Sequence, residues 1–586
     1  MLNHFLRMIL FLALSVGLFA SVMTVRAGPI KEGRDLKYVL EPVFDKDSLR
    51  FRVDLSFKGD PSGTTRLVLP NEWAGQSDLY RAVRNIKVIS PDATLSDTAE
   101  QYVKTLTHRP NQTLHIQYEL KQDYEGSPRS ENRYRPVIQK DYFHWLGHGV
   151  WIRPAWDNGE TVLVSLQWKN LPKAWTIANS FGINQRRQRF RAMLGEFVHS
   201  IFVGGDFRVN SVVVGGKPVH TVVRGSWQFS DAVFADLVRR IVEAERAFWR
   251  DYNAPYYLVT LIPLDDPPKS TALGGDGLTN SFALFCARNA KIIDLYDLLA
   301  HEYFHNWNSG KLGQVKQPEQ QIKWFSEGFT DYYAYLLLLR SGLISLDEYV
   351  RKYNNLIHEY YLSPVRTESN QRVIRDYWND SGVQKLPYRR GLVLAANWNA
   401  LIRTATGGKN SLDDVMLDIF RASQQRNPYL TAELINEHIR RYAGRDVLPD
   451  IRRYIDDGEL IVPDKNALGP YVELEIVEVS LFELGFDLEA LLKKKVIAGV
   501  KEDSAAYRAG LRDNQVVVRR SSIYVGDTTK PVEITIKEGI GERTIRYYPA
   551  SRNTVSVPQY KLRPGITDKE RTETLRWLGV TSSSTN

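Results

Sequence analysis

One pentapeptide, His301-Glu302-Tyr303-Phe304-His305, restricts the fold of this chain more than any other feature. Its histidines are four residues apart, and on an α-helix that spacing puts both imidazoles on one face. The residues before it, Ile292-Ile293 and Leu295 to Ala300, are mostly apolar, so the helix is expected to be buried. Buried ionisable groups need partners, and two imidazoles side by side point to a metal ion. Glu302 sits one step round the helix, able to reach a water on such an ion but poorly placed to ligate it. The segment Trp324-Phe325-Ser326-Glu327-Gly328-Phe329-Thr330-Asp331 supplies a third ligand, because Glu327 opens another helical run. His301, His305 and Glu327 then form a His2Glu set with its fourth position open. That is the pattern of a catalytic zinc; a structural zinc closes all four positions with protein. One Zn2+ per chain follows. Asp331, four residues past Glu327 on the same face, can hold the far nitrogen of one imidazole.

Residues 1–27 read as a secretory leader. Arg7 precedes an apolar core from Met8 to Met23, no acid is present, and Val25 and Ala27 stand where a signal peptidase reads. The core is short for a full span, so no stable membrane span is expected after cleavage before Gly28. Cys286 is the only cysteine. It excludes an internal disulfide and any thiolate metal cluster, although the chain reads as exported. Removal of Arg7 and Arg26 with the leader takes the formal charge from +9 to +7. That is modest for this length, and without a dense Lys/Arg tract nucleic acid is not expected as a partner. One cysteine and a short leader fit a bacterial periplasm.

The mature chain divides by pattern into a multidomain α+β arrangement. From residue 28 to about 200, alternating runs such as Leu49 to Leu55, Thr113 to Leu120 and Val162 to Trp168 predict an antiparallel β domain. Helical spacing takes over near Ser230, where Phe234, Leu237, Val238, Ile241, Ala244 and Phe248 mark one apolar face. Residues 201–462, with the H-E-x-x-H helix among further helices, suit a mainly helical, thermolysin-like catalytic domain. Ile461-Val462-Pro463-Asp464 reads as a linker. Beyond it, 463–560 is β-rich and resembles a PDZ domain. Glu483-Leu484-Gly485-Phe486 stands for its carboxylate loop, and a strand at Val496 to Val500 leads to Ala509-Gly510-Leu511. That resemblance implies capture of a peptide C-terminus as an added strand; the alternative is a module that only packs on the catalytic domain. Residues 561–586 read as a loose polar tail.

This order of segments resembles the M61 glycyl aminopeptidase family. His301 to Asn308 matches that family's H-E-x-x-H-x-W-N, Trp324 to Tyr333 its E-G-F-T-x-Y-Y, and Thr406 to Met416 a downstream signature. The resemblance implies a zinc peptidase acting on peptides or proteins, with Glu302 as general base. It also implies that Tyr388, in Tyr388-Arg389-Arg390-Gly391 where the family has Y-x-K-G, stabilises the oxyanion. One departure bears on specificity. The family's G-G-L-E-H segment is thought to bind the substrate's free α-amino group. Here Gly274 to Ser281 corresponds, with Thr279 and Asn280 taken in place of Glu and His and Asp276 as the nearby acid. Gly275, Asp276, Gly277, Thr279 and Asn280 are accordingly the expected substrate-binding residues. An M61-like aminopeptidase, a zinc endopeptidase indifferent to a free N-terminus, and a non-catalytic peptide-binding PDZ protein all stay open at this point.

Overall fold

The structure, a computed structural model, describes residues 34–580 apart from 47, 268, 269 and 309. The expected leader at 1–27 lies outside them. The N-terminal region is strand-rich, and its strands alternate in burial as the sequence pattern requires: Leu49–Lys58, Thr113–Leu120 and Thr161–Trp168 each turn every second residue inward. They belong to a six-stranded sheet that includes Asp35–Phe44. The sheet is not wholly antiparallel as expected, because Asp35–Phe44 pairs parallel with Thr161–Trp168. The chain between them is long enough for the crossover that parallel pairing needs. A four-stranded and a five-stranded sheet complete this region.

The chain then forms strands β1 (Arg208–Val214) and β2 (Lys217–Val223), helix α1 (Asp231–Trp249), and strands β3 (Tyr257–Leu264), β4 (Leu273–Leu278) and β5 (Ser281–Ala287). They make one five-stranded sheet in the order β1-β2-β3-β5-β4, which leaves β4 at an edge. Thr279 and Asn280 are the two-residue turn between β4 and β5, and Asn280 takes φ 50° there. Helix α1 is capped by the Ser230 hydroxyl, which accepts from the Val233 N–H, and it buries Phe234, Leu237, Val238 and Ile241 as the spacing predicts. Three further helices frame the site: α2 (Tyr296–Phe304), α3 (Gly328–Arg340) and α4 (Ser381–Ala405). Their buried residues and those of the sheet form one continuous apolar core.

In the C-terminal region, β6 (Val472–Phe482) pairs antiparallel with β7 (Ala550–Leu562). The stretch between them has its own small core of Leu484, Phe486, Ile497, Leu511, Ile534 and Ile536. β7 docks on the helix Leu346–Leu362, where Asn354 exchanges hydrogen bonds of 2.7 and 2.8 Å with the Tyr560 backbone. The segment expected as a loose tail instead forms a helix, Asp568–Trp577, opened by a Thr567/Glu570 capping box. Thr574, Leu578 and Val580 are buried, and Arg340 Nε donates to the Leu578 carbonyl at 2.8 Å. The helix is polar on most of its surface, so its short apolar seam did not stand out in the sequence. No helix among the described residues is long and apolar enough to cross a membrane.

Candidate active site

Helix α2 enters from a 3-10 turn, Ile292–Leu295, where Asp294 accepts from the Lys291 N–H at 2.8 Å. Leu298, Leu299, Tyr303 and Phe304 bury the helix in the core. His301 lies in its last turn and His305 just past its end. The two rings stand nearly perpendicular, and their Nε2 atoms are 3.0 Å apart. Glu327 joins the short helix Lys323–Ser326 to α3. Its Oε2 reaches within 3.4 Å of His301 Nε2 and 3.2 Å of His305 Nε2.

Proton placement decides what these three atoms can do. His305 Nδ1 lies 2.6 Å from the Asn308 carbonyl oxygen, which only accepts, so Nδ1 carries the proton. His301 Nδ1 donates to Asp331 Oδ1 at 2.8 Å, and Arg389 Nη1 holds the other Asp331 oxygen at 3.0 Å. In their neutral forms both imidazoles therefore present lone pairs at Nε2, as does Glu327 Oε2, which has no hydrogen-bond partner among the described residues. Three acceptors facing one another in a buried pocket need a cation between them. Donors about 2.0–2.1 Å from a tetrahedral metal sit roughly 3.3–3.4 Å apart, close to the spacing here. Among the described residues this is the one group of three such side chains able to hold a metal ion. The second Glu327 oxygen, Oε1, accepts from Lys323 Nζ at 3.0 Å. Burial alone would raise the Glu327 carboxyl's pKa, but the Lys323 ammonium and the two imidazoles hold it well below the usual carboxylate range. Burial would likewise lower the pKa of His301; Asp331 and Glu327 outweigh it and push it well above the usual histidine range. A proton is attracted to the place where a cation fits.

Glu302 is buried beside the histidines, and a β-carbon added to Gly277 would lie 3.7 Å from its Oε2. Tyr388, on α4, faces His301 with ring centroids 6.0 Å apart and its hydroxyl 3.4 Å from that of Tyr377. Burial, reinforced by the Glu327 charge, raises the Tyr388 pKa far above the usual phenol range, so it keeps its proton.

The expected substrate-binding residues separate along β4. Successive strand residues point to opposite faces. Gly275 and Gly277 turn toward the helices, where their added β-carbons would meet Phe282 and Glu302. Asp276 turns the other way, into the seam with the N-terminal region, where the Trp73 indole N–H donates to its Oδ2. Burial raises the Asp276 pKa well above the carboxylate range, and the nearby Glu302 charge adds to this. Thr279 Oγ1 donates to the Glu196 carbonyl at 3.0 Å, and the Asn280 carbonyl accepts from Leu258 at 3.0 Å. The residue in front of Glu302 is thus Gly277, not Thr279 or Asn280. A glycine-rich strand has no alternation from which to read this register in advance.

Lys323, Tyr377 and Arg389 were not singled out from the sequence. Lys323 left a signal, since it stands four residues before Glu327 on a helical run. Arg389 lies next to Tyr388 but reaches Asp331 only through the packing of α4 on α3.

A sequence profile of the family described as M61 glycyl aminopeptidase matches residues 294–386, a stretch that includes His301, His305, Glu327 and Asp331. Among solved structures, an aminopeptidase N family protein from Idiomarina loihiensis is similar, at 16% identity and a TM-score of 0.69, over 93% of this chain and 100% of that one. An M1 zinc metallopeptidase from Deinococcus radiodurans aligns at 14% identity and a TM-score of 0.43, over 76% of this chain and 99% of that one. No curated protein sequence matches. The motif segment thus matches the M61 glycyl aminopeptidase profile, and the chain as a whole shares the fold of an aminopeptidase N family protein.

Proposed function

We propose that the chain hydrolyses peptide bonds with one zinc ion held by His301, His305 and Glu327. The observation that carries this reading is the meeting of three buried lone pairs, each fixed by a partner on its far side. When bound, zinc lowers the pKa of water and polarises a carbonyl. Glu302 receives the proton of the attacking water and passes it to the leaving amine. Tyr388 donates a hydrogen bond to the carbonyl oxygen as it gains charge. Asp331, itself tied by Arg389, fixes the His301 ring and its tautomer. β4 lies at the sheet edge, and an extended substrate runs beside it at Gly275 to Gly277, with Thr279 and Asn280 at its end, although the Gly275 carbonyl already accepts from Tyr134 Oη.

An aminopeptidase of the M61 type is the first form of this reading. A second form, a peptidase indifferent to a free N-terminus, draws support from one observation: Asp276 is spent on Trp73 at the far face of β4, and Gly277 puts no carboxylate in front of Glu302. For the C-terminal module the same reading favours a packing role over peptide capture. The Leu484 to Phe486 loop runs directly into a helix, Leu488–Lys494, capped by Asp487, where an added peptide strand would need a strand partner. Export to a periplasm through the leader at 1–27 completes the proposal.

The test is digestion of one peptide library in two forms, free and N-acetylated, read by mass spectrometry. E302Q serves as the blank and should be slower by roughly 100- to 10,000-fold. Trimming of the free library alone supports the aminopeptidase form. Internal or N-terminal cuts in both libraries support the second. Equal rates for the wild type and E302Q would remove Glu302 from the mechanism.

A further inference from the structure

Lys323 is an improbable residue where it stands. The residue is 3% exposed, on a short helix whose next residues are Trp324 and Phe325, and its ammonium lies 5.9 Å from the centre of the Tyr377 ring. Taking an ammonium out of water costs several kcal/mol, and a buried ion pair returns little of that as net stability compared with a well-packed apolar pair. Its partners are carboxylates one helical turn away on either side: Glu319 Oε1 at 3.5 Å and Glu327 Oε1 at 3.0 Å. Fold stability therefore gives a weak reason for a lysine here.

The reason lies in the two oxygens of Glu327. A carboxylate can offer a metal one oxygen or both. With both, it takes up space that a four-coordinate site must leave for water or substrate. The histidines do not decide between these modes, since the contacts of both are with Oε2, at 3.4 and 3.2 Å. Lys323 does, because Oε1 is turned to its ammonium and away from the imidazoles.

We propose, building on the zinc-site reading above, that Lys323 is a positioning residue of the metal centre: by holding Oε1 it restricts Glu327 to one oxygen and keeps the fourth coordination position open. The same lysine underlies the Tyr377 ring, whose hydroxyl meets that of Tyr388, so one cation braces both the ligand and the phenol proposed for the oxyanion.

The experiment compares wild type, K323M and K323R, each loaded with cobalt as a spectroscopic stand-in for zinc. Metal content is measured first. A wild-type protein that binds no metal overturns the zinc-site reading itself, whatever Lys323 does. Given binding, K323M should fold with a lower melting temperature, since it removes one partner of a buried ion pair. Its visible cobalt bands should weaken and X-ray absorption should show an added oxygen scatterer, both signs of a carboxylate bound through two oxygens. Its kcat should fall roughly 10- to 100-fold with little change in KM. K323R, which still offers N–H donors to Oε1, should keep the wild-type spectrum, and it decides the matter if K323M does not fold. A K323M enzyme with wild-type cobalt bands and kcat, or a K323R enzyme with an added oxygen scatterer, overturns the proposal.

Discussion

Single residues in this molecule are held in states that their neighbours impose, and Glu245 shows this away from the metal ligands. It lies on α1 with no exposed surface, and among the described residues neither carboxyl oxygen has a hydrogen-bond partner. Burial raises its pKa well above the carboxylate range, with His301 pulling the other way; the Tyr257 and Tyr303 phenols are the other titratable groups that sense it. The folded chain thus keeps a proton that the unfolded chain releases above about pH 4.3. The native state then binds more protons, so stability falls as pH rises, by at most about 1.4 kcal/mol per pH unit, until the folded-state pKa is passed. The substitution E245Q should remove this slope. Its stability gain in chemical denaturation is expected to widen between about pH 5 and 8; a gain that stays constant would mean Glu245 is charged in the fold. At this scale the sequence was readable where spacing carries chemistry. The convergence of the two histidines and Glu327 was legible because helical spacing constrains which side chains share a face. The direction of Asp276 was not, because Gly274, Gly275 and Gly277 give β4 no apolar face.

The elements around the site meet at a point where no side chain intervenes. A β-carbon on Gly391 would fall 1.8 Å from the Trp324 carbonyl oxygen and 2.8 Å from Gly328 Cα; one on Gly328 would fall 2.3 Å from Gly391 Cα. Helices α3 and α4 therefore touch backbone to backbone. The contact sets Tyr388, one turn before Gly391, beside Glu327, the residue before Gly328. Adding a methyl group here cannot be absorbed by a rotamer change, so G391A must part the helices. Overpacking typically costs about 1–3 kcal/mol, and the upper end is expected in a denaturant titration. Metal retention should weaken with it, since Arg389 on α4 also holds Asp331. A G391A protein with wild-type stability and metal content would show that the crossing is looser than drawn. Helix α1 was legible from its apolar stripe. The Asp568–Trp577 helix and the parallel pairing of Asp35–Phe44 were not, because one has a seam of few residues and the other depends on how a long connection returns.

At the scale of the molecule, the N-terminal region and the catalytic sheet share a core that joins Trp73, Tyr134, Leu146 and Ile201 to Val222, Leu258 and Phe285. Two polar ties cross the same seam to the edge strand: Trp73 to the Asp276 carboxyl, and Tyr134 Oη to the Gly275 carbonyl at 2.8 Å. The β domain thus backs the strand on which the substrate is proposed to lie. The substitution W73F keeps most of the packing and removes the N–H donor, leaving a buried carboxyl short of a partner. A loss of about 1–3 kcal/mol is expected by calorimetry or denaturant titration, together with a changed KM; no change in either would separate the seam from the cleft.

The ligand atoms that converge at His301, His305 and Glu327 come from two stretches of chain, one at the end of α2 and one at the start of α3. An ion held there, as proposed, would tie α2 to α3. Binding the folded chain in preference to the unfolded one, it would shift the folding equilibrium by mass action. Metal supply then bears on how long each molecule survives proteolysis as well as on how fast it turns over.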